Sequence, residues 1–214
     1  MKIGVLGTGE VGQTLGEGFA KLGHRVLIGS RDPSKKEVQE WLAKTKAEAG
    51  SFASAAAFGE LIVLATHWEK GATENAIKLA GKENFTGKIV IDVTNPLDFS
   101  AGAPKLDVAY PDSAGARIQG WLPQAKVVKA FNIIAASYMT NPHLAEGKPD
   151  LFIAGNDGAA KKTVREIAMK FGWENVHDMG SIEQSYLLEA LAMLWIRYGF
   201  LNDHWTHGFK LLKK

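Results

Sequence analysis

The chain has 214 residues, 46% hydrophobic and 22% charged, with a net charge of +2 and no cysteine. That profile belongs to an ordinary soluble globular protein with one good core, or one domain plus an appended piece, and it argues against nucleic acid or a membrane as partner. Disulfides, thiolate catalysis and zinc–thiolate sites are excluded. No apolar stretch reaches the ~18–20 residues of a membrane span, and a strand already opens at Lys2, so the expected compartment is the cytoplasm.

The strand Lys2 to Leu6 ends in Gly7-Thr8-Gly9-Glu10-Val11-Gly12, and a helix is expected from Glu10 to Lys21. A strand, a Gly-x-Gly-x-x-Gly turn and a helix in that order suit a diphosphate held on main-chain amides, because the helix dipole and the unpaired N–H groups both favour an anion. Gly7 serves the tight turn, Gly9 the approach of the pyrophosphate, and Gly12 the contact between helix and sheet. Interior glycines cost a helix roughly 1 kcal/mol each, so Gly12, Gly16 and Gly18 require close packing as compensation.

A second strand, His24 to Gly29, completes a βαβ unit and runs into Gly29-Ser30-Arg31, with Lys35 and Lys36 following. An NAD-selective site places a carboxylate at this strand tip, and none is here. A hydroxyl, a guanidinium and an ammonium are instead the groups a 2′-phosphate requires, which favours NADP. Ser34-x-x-Glu37 also reads as a capping box opening a helix over Lys36 to Ala49.

Further strands are expected at Leu61 to Ala65, Lys88 to Asp92, Lys126 to Ala130, Leu151 to Ala154 and about Asn175 to Asp178. Helices run to about Ala80 and over Ala159 to Phe171, and a short one spans Ser113 to Trp121. This alternation predicts an α/β fold, a Rossmann-like doubly wound parallel sheet, over residues 1–180. Ligands of such sheets lie beyond the carboxyl ends of the strands. Thr66, His67, Trp68, Thr94, Asn95, Pro96, Ile134 and Ala135 all fall there. Residues 181–214 form an appended helical segment, apolar nearly all round from Tyr186 to Ile196, with breaks at Gly199 and Asn202-Asp203 and a shorter helix after. Such a surface is too wide for one sheet face to cover, which predicts a homodimer.

The motifs Gly-Thr-Gly-Glu-Val-Gly, Gly29-Ser30-Arg31, Thr66-His67-Trp68-Glu69 and Gly155-Asn156-Asp157, with the terminal Gly208-Phe209-Lys210-Leu211-Leu212, resemble the F420-dependent NADP oxidoreductases over nearly the whole chain. The same module occurs in the cytoplasmic domain of six-transmembrane metalloreductases. The resemblance implies hydride transfer between NADPH and a deazaflavin (coenzyme F420) or flavin acceptor, without metal. It implies that Thr8, Gly9, Glu10 and Val11 hold the pyrophosphate, that Ser30, Arg31 and Lys35 hold the 2′-phosphate, and that Ala135 lies near the nicotinamide. A member of that family carries Ile-Pro-Trp where this chain has Thr66-His67-Trp68.

Direct hydride transfer requires alignment of donor and acceptor more than acid or base groups, and no nucleophile constellation is present. His67 is the one histidine expected on the binding edge. It is either a proton donor, if the substrate is a carbonyl or imine, or a polar residue opening a helix. Trp68 either walls the nicotinamide or packs beneath it. His204 and His207 share a helix face in this reading but lack further ligands, so no metal is expected. Asp92, Glu183 and Glu189 read as structural carboxylates. The alternatives to a deazaflavin or flavin reductase are an NADPH-dependent reductase of small carbonyls or imines, and a non-catalytic NADP-sensing module.

Overall fold

A computed structural model describes residues 1–100 and 102–212. The first unit is β1 (Lys2–Leu6), α1 (Glu10–Lys21) and β2 (Arg25–Gly29). It continues through α2 (Lys36–Leu42), β3 (Glu48–Gly50), α3 (Phe52–Phe58), β4 (Leu61–Leu64), α4 (Ala72–Ala80) and β5 (Ile89–Asp92). A small hairpin, β6 (Leu97–Asp98) and β7 (Lys105–Leu106), precedes α5 (Ala114–Trp121) and β8 (Lys126–Lys129). The chain then forms β9 (Leu151–Gly155), α6 (Gly158–Lys170), β10 (Val176–Asp178) and α7 (Ser185–Asn202).

Eight strands make one sheet in the order β10-β9-β8-β5-β4-β1-β2-β3. Its strands alternate their buried side chains between two layers, as a sheet covered on both faces must. Ile3, Val5, Leu61 and Val63 meet α1, α2 and α6 on one face. Leu6, Ile62, Leu64 and Val127 meet α3, α4 and α5 on the other.

The sheet is parallel except at one junction. β9 pairs antiparallel with β8, and β10 follows β9 in parallel. A parallel return requires a crossover long and regular enough to span a sheet face. The segment between β8 and β9 contains only the 3₁₀ turn Ala136–Tyr138, so the chain comes back reversed. Gly155-Asn156-Asp157 therefore lies on the edge opposite the glycine turn.

Two stretches depart from the sequence-based expectation. The helix expected over Lys36 to Ala49 stops at Leu42, where Lys44 N–H and Thr45 N–H tighten onto the Trp41 and Leu42 carbonyls and Thr45 Oγ1 donates to Trp41 O. Residues 48–50 then add edge strand β3 to β2, and α3 follows, capped by Ser51. The Ser34-x-x-Glu37 box does not form, because Ser34 N–H and Oγ–H both donate to Asp32 Oδ1.

The terminal segment differs as well. Gly199 lies inside α7, where a side chain would collide with the Trp205 ring. The helix ends at Asn202 with Asp203 left-handed, and residues 204–212 form no further helix. They fold back on α7 and on the start of β9. Trp195 Nε1 donates to His207 O at 2.9 Å, Asp150 N–H to Phe209 O at 2.8 Å, and Leu211 N–H to Asp150 Oδ2 at 2.9 Å. The expectation of helix at residues 213–214 lies outside the described residues.

Candidate functional site

Two cavities meet at the carboxyl edge of β1, β4 and β5, and they share Gly9, Ala65, Thr66 and His67. The first, about 350 Å³, is lined by Gly7, Thr8, Ser30, Arg31 and Lys35, and also by Glu37, Val38, Phe52 and Asn75. The second, about 320 Å³, is lined by Glu10, Val11, Trp68, Val93, Thr94, Asn95, Leu97 and Phe99.

The glycine turn between them has the shape a diphosphate requires. Gly7 sits at φ +122, a conformation open only to glycine in practice, and its N–H donates to Gly29 O, stitching the turn to β2. A side chain there, or at Gly12, would run into the carbonyls of Ala65 and Gly7 respectively. Gly9 is the N-cap of α1, with no side-chain cap and open space where a Cβ would stand. The first-turn amides of α1 thus face a cleared volume with no intrahelical acceptor, and they fit a pyrophosphate.

At the far end of the first cavity, Ser30 is buried and its hydroxyl bonds both main-chain groups of Asp32. It shapes the turn that carries Arg31. Asp32 is the carboxylate nearest the strand tip, and its Oδ1 is occupied by Ser34, whose hydrogen bonds hold the carboxyl below its ordinary value. Among the described residues neither Arg31 nor Lys35 is in a salt bridge, whereas Lys36 pairs with Glu40. The residues present fit a ribose 2′-phosphate.

In the second cavity, Thr66 Oγ1 donates to Thr73 Oγ1, and Thr73 Oγ1 to His67 O. This turns the His67 carbonyl inward and leaves its imidazole exposed. Trp68 lines the cavity and also packs, stacking on Trp121 and donating Nε1–H to Asp107 at 2.8 Å. The β6–β7 hairpin supplies Leu97 and, beyond it, Phe99. Asp98 of that hairpin is lowered to about 2 by hydrogen bonds from the Ser100 amide and hydroxyl and from Lys105.

Pro96 and Ala135 line neither cavity. Pro96 O accepts from Asp107 N–H, and Ala135 O accepts from Tyr138 N–H. His204 and His207 face each other at 5.9 Å, but His207 Nε2 is within hydrogen-bond distance of Trp195 O. Among the described residues no three potential ligands cluster.

Sequence reasoning missed the charge cluster behind the second cavity. Asp92 and Lys129 are register partners across β5 and β8, so their side chains emerge on one face. There Lys129 Nζ lies 2.7 Å from Asp92 Oδ2 and 3.0 Å from Glu189 Oε1 of α7, all three side chains wholly buried. Glu189 also accepts from the Ala114 and Gly115 amides at the start of α5. Burial pulls the Lys129 ammonium down, but Asp92 and Glu189 outweigh it and raise it, so it stays charged. Burial pushes the Glu189 carboxyl up. The signal in the sequence was a lysine ending the apolar strand Lys126-Val127-Val128-Lys129.

A glycine turn presenting free amides, with a basic pocket beside it at the carboxyl edge of a mostly parallel sheet, defines a dinucleotide-binding protein of the Rossmann type. The family profile described as NADP oxidoreductase, coenzyme F420-dependent, matches residues 2–96. The F420-dependent NADP reductase of Methanocaldococcus jannaschii is 31% identical over 211 residues, covering 92% of this chain and 91% of that one. A crystal structure from Arthrobacter sp. FB24, described as a candidate F420-dependent NADP reductase, superposes over the whole of both chains with a TM-score of 0.95 and 40% identity. The metalloreductase STEAP3 of Rattus norvegicus is 28% identical across 90% of this chain, which spans only 36% of that protein. The chain belongs to the family of F420-dependent NADP oxidoreductases.

Proposed function

We propose that this chain is an NADP(H)-dependent oxidoreductase that passes hydride directly between NADPH and the deazaflavin F420, with the nucleotide laid across the two adjoining cavities. The observation that carries the reading is their junction at the glycine turn. The α1 amides at Gly9, Glu10 and Val11 take the pyrophosphate, and Ser30, Arg31 and Lys35 take the 2′-phosphate. The nicotinamide enters the cavity walled by Thr66, His67, Trp68 and Asn95. Pro96 supports that wall from outside it, through Asp107 and Trp68. The bound nicotinamide supplies the hydride chemistry. The protein's part is to fix the ring, exclude water and leave one face open to the acceptor.

His67 supports direct transfer over a carbonyl or imine reduction that needs a proton donor. Among the described residues its ring is exposed and makes no hydrogen bond, so nothing in the chain orients it as a general acid before substrate binds. The acceptor enters beside Leu97 and Phe99, where apolar and aromatic side chains suit a flat ring. Residues 1–180 form the nucleotide-binding unit, and residues 181–214 complete the acceptor side. No described helix is long and apolar enough to cross a membrane, and the reading places the enzyme in the cytoplasm. Its outer α7 surface, with Leu187, Leu194, Tyr198 and Leu201 exposed, supports a homodimer.

The test is a turnover assay of NADPH or NADH with F420, free flavin or a carbonyl panel. Turnover with NADPH and F420, and little with NADH, is expected. Tight NADP binding without turnover on any acceptor would favour the sensing module instead.

A further inference from the structure

We propose that Lys129 is a positioning residue for hydride transfer, acting through Thr94 and Asn95 on the floor of the second cavity. The proposal rests on the reading that this cavity takes the nicotinamide. A lysine buried to 0% exposure is an expensive way to fill a core, since an apolar residue of similar volume serves stability as well or better. What an ammonium adds is direction. Its Nζ donates to Thr94 O at 2.7 Å and stands in ion-pair contact with Asp92 Oδ2 at 2.7 Å and Glu189 Oε1 at 3.0 Å.

The partner carboxylate then grips the same residue from its other side. Asp92 Oδ1 accepts from Thr94 N–H at 2.9 Å and Thr94 Oγ1–H at 2.7 Å. Both main-chain polar groups of Thr94 and its hydroxyl are thereby fixed by one ion pair. Asn95, next in line, exchanges bonds with Asn132: Asn95 Nδ2 donates to Asn132 O at 2.8 Å, and Asn132 Nδ2 to Asn95 Oδ1 at 2.9 Å. Asn132 Nδ2 also reaches Leu188 O at 3.1 Å, the residue before Glu189. Phe131, beside Asn132, is left-handed at φ +61. A bulky residue holds that conformation only where its surroundings over-determine it.

Two consecutive residues of α7 thus clamp the two loops that follow β5 and β8. The clamped residues Thr94 and Asn95 line the cavity directly. Hydride transfer depends steeply on donor–acceptor separation, so a shift of about 1 Å in that floor is enough to cost about 100-fold in rate.

The experiment uses the full chain and two variants. The triple variant Asp92→Asn, Lys129→Met, Glu189→Gln keeps side-chain volumes while discharging the cluster. Glu189→Gln alone keeps an acceptor for Lys129 but weakens the clamp. Each is measured for affinity to 2′,5′-ADP, for nicotinamide fluorescence of bound NADPH, and for single-turnover transfer from 4-deuterated NADPH to F420.

The expected result for the triple variant is 2′,5′-ADP affinity within about twofold of wild type, altered NADPH fluorescence, and transfer at saturating NADPH slowed about tenfold or more. Glu189→Gln is expected to slow transfer about threefold or more with the same binding of 2′,5′-ADP. A folded triple variant with unchanged transfer overturns the proposal. If the triple variant does not fold, unchanged transfer in Glu189→Gln overturns it. A wild-type chain that binds 2′,5′-ADP yet moves no hydride to F420 refutes the acceptor assignment instead. NADPH fluorescence then decides the role of Lys129, and identical spectra in wild type and variants overturn it.

Discussion

The proposed preference for NADPH rests on Arg31 and Lys35. They line the first cavity free of salt bridges among the described residues, beside Glu37, while Asp32, just past the strand tip, is tied to Ser34. A guanidinium–phosphate contact is charge-assisted, of order 1.5–3 kcal/mol. Arg31→Ala is therefore expected to raise the Kd for NADPH by about 10–150-fold and to leave NADH binding nearly unchanged, as titration calorimetry would show. Equal losses for both nucleotides would remove Arg31 from 2′-phosphate recognition. His67 carries the opposite expectation. Its carbonyl is fixed by Thr73 while its ring is exposed, so replacing the ring should matter little to chemistry. His67→Asn is expected to keep the rate at saturating NADPH within about threefold, whereas a general acid contributes about 10²–10⁴. A drop of that size would restore the carbonyl or imine reading.

At the scale of elements, the glycine turn and the strand tip at Ser30-Arg31 were legible because each is written locally. The glycines of α1 are an example. Beyond Gly12, which clears the turn, Gly16 admits the Trp41 ring and Gly18 admits Thr140 and Phe171. Compensation by packing was readable, but the packing partners were not, since Trp41 and Thr140 lie far along the chain. The same limit explains the reversed β9, whose apolar run reads alike in either direction. It also explains the Lys129 cluster, which exists only once register sets Asp92 beside Lys129 and α7 brings Glu189 across. The sequence predicts a shorter helix after Asn202-Asp203, with His204 and His207, three apart, on one face. Tertiary anchoring at Asp150 decided otherwise.

That anchor makes a prediction of its own. Burial pushes the Asp150 carboxyl up, but hydrogen bonds from His177, the Leu211 amide and Asn175 more than offset it and hold the group below its ordinary value. A folded value below the unfolded one means the stabilisation is whole above the usual carboxylate range and is lost as pH falls through the lower folded value. Asp150→Asn should lower Tm by about 3–12 °C at neutral pH, taking about 1.5–3 kcal/mol for bonds to a charged group and about 2–4 °C per kcal/mol in a chain of this size. The difference from wild type should narrow in acid, as calorimetry across that range would show. A gap that stays constant into strong acid would mean that the charge contributes nothing.

For the molecule as a whole, α7 is the element that joins an exposed apolar stripe to the buried Lys129 cluster. Its inner face carries Leu188 and Glu189 to the loops behind the second cavity. Its outer face carries Leu187, Leu191, Leu194, Tyr198 and Leu201, spaced 4, 3, 4 and 3, the repeat that lets two helices interlock along one seam. Leu194 is 58% exposed and Leu201 66% in the single chain. Exposed apolar stripes of that kind are commonly contact surfaces between proteins. Self-association through a two-fold axis satisfies it with no second sequence, because each stripe is its own complement. Leu194→Glu places a charge at the centre of the seam and leaves the inner face untouched. The wild-type chain should sediment as a dimer at micromolar concentration, and the variant as a monomer with 2′,5′-ADP affinity unchanged. A wild-type monomer at every concentration would show that the stripe faces something other than its own copy. If the seam also steadies α7 against the Lys129 clamp, the monomeric variant should transfer hydride more slowly than the dimer at saturating NADPH. Equal rates would show that the clamp holds without the partner.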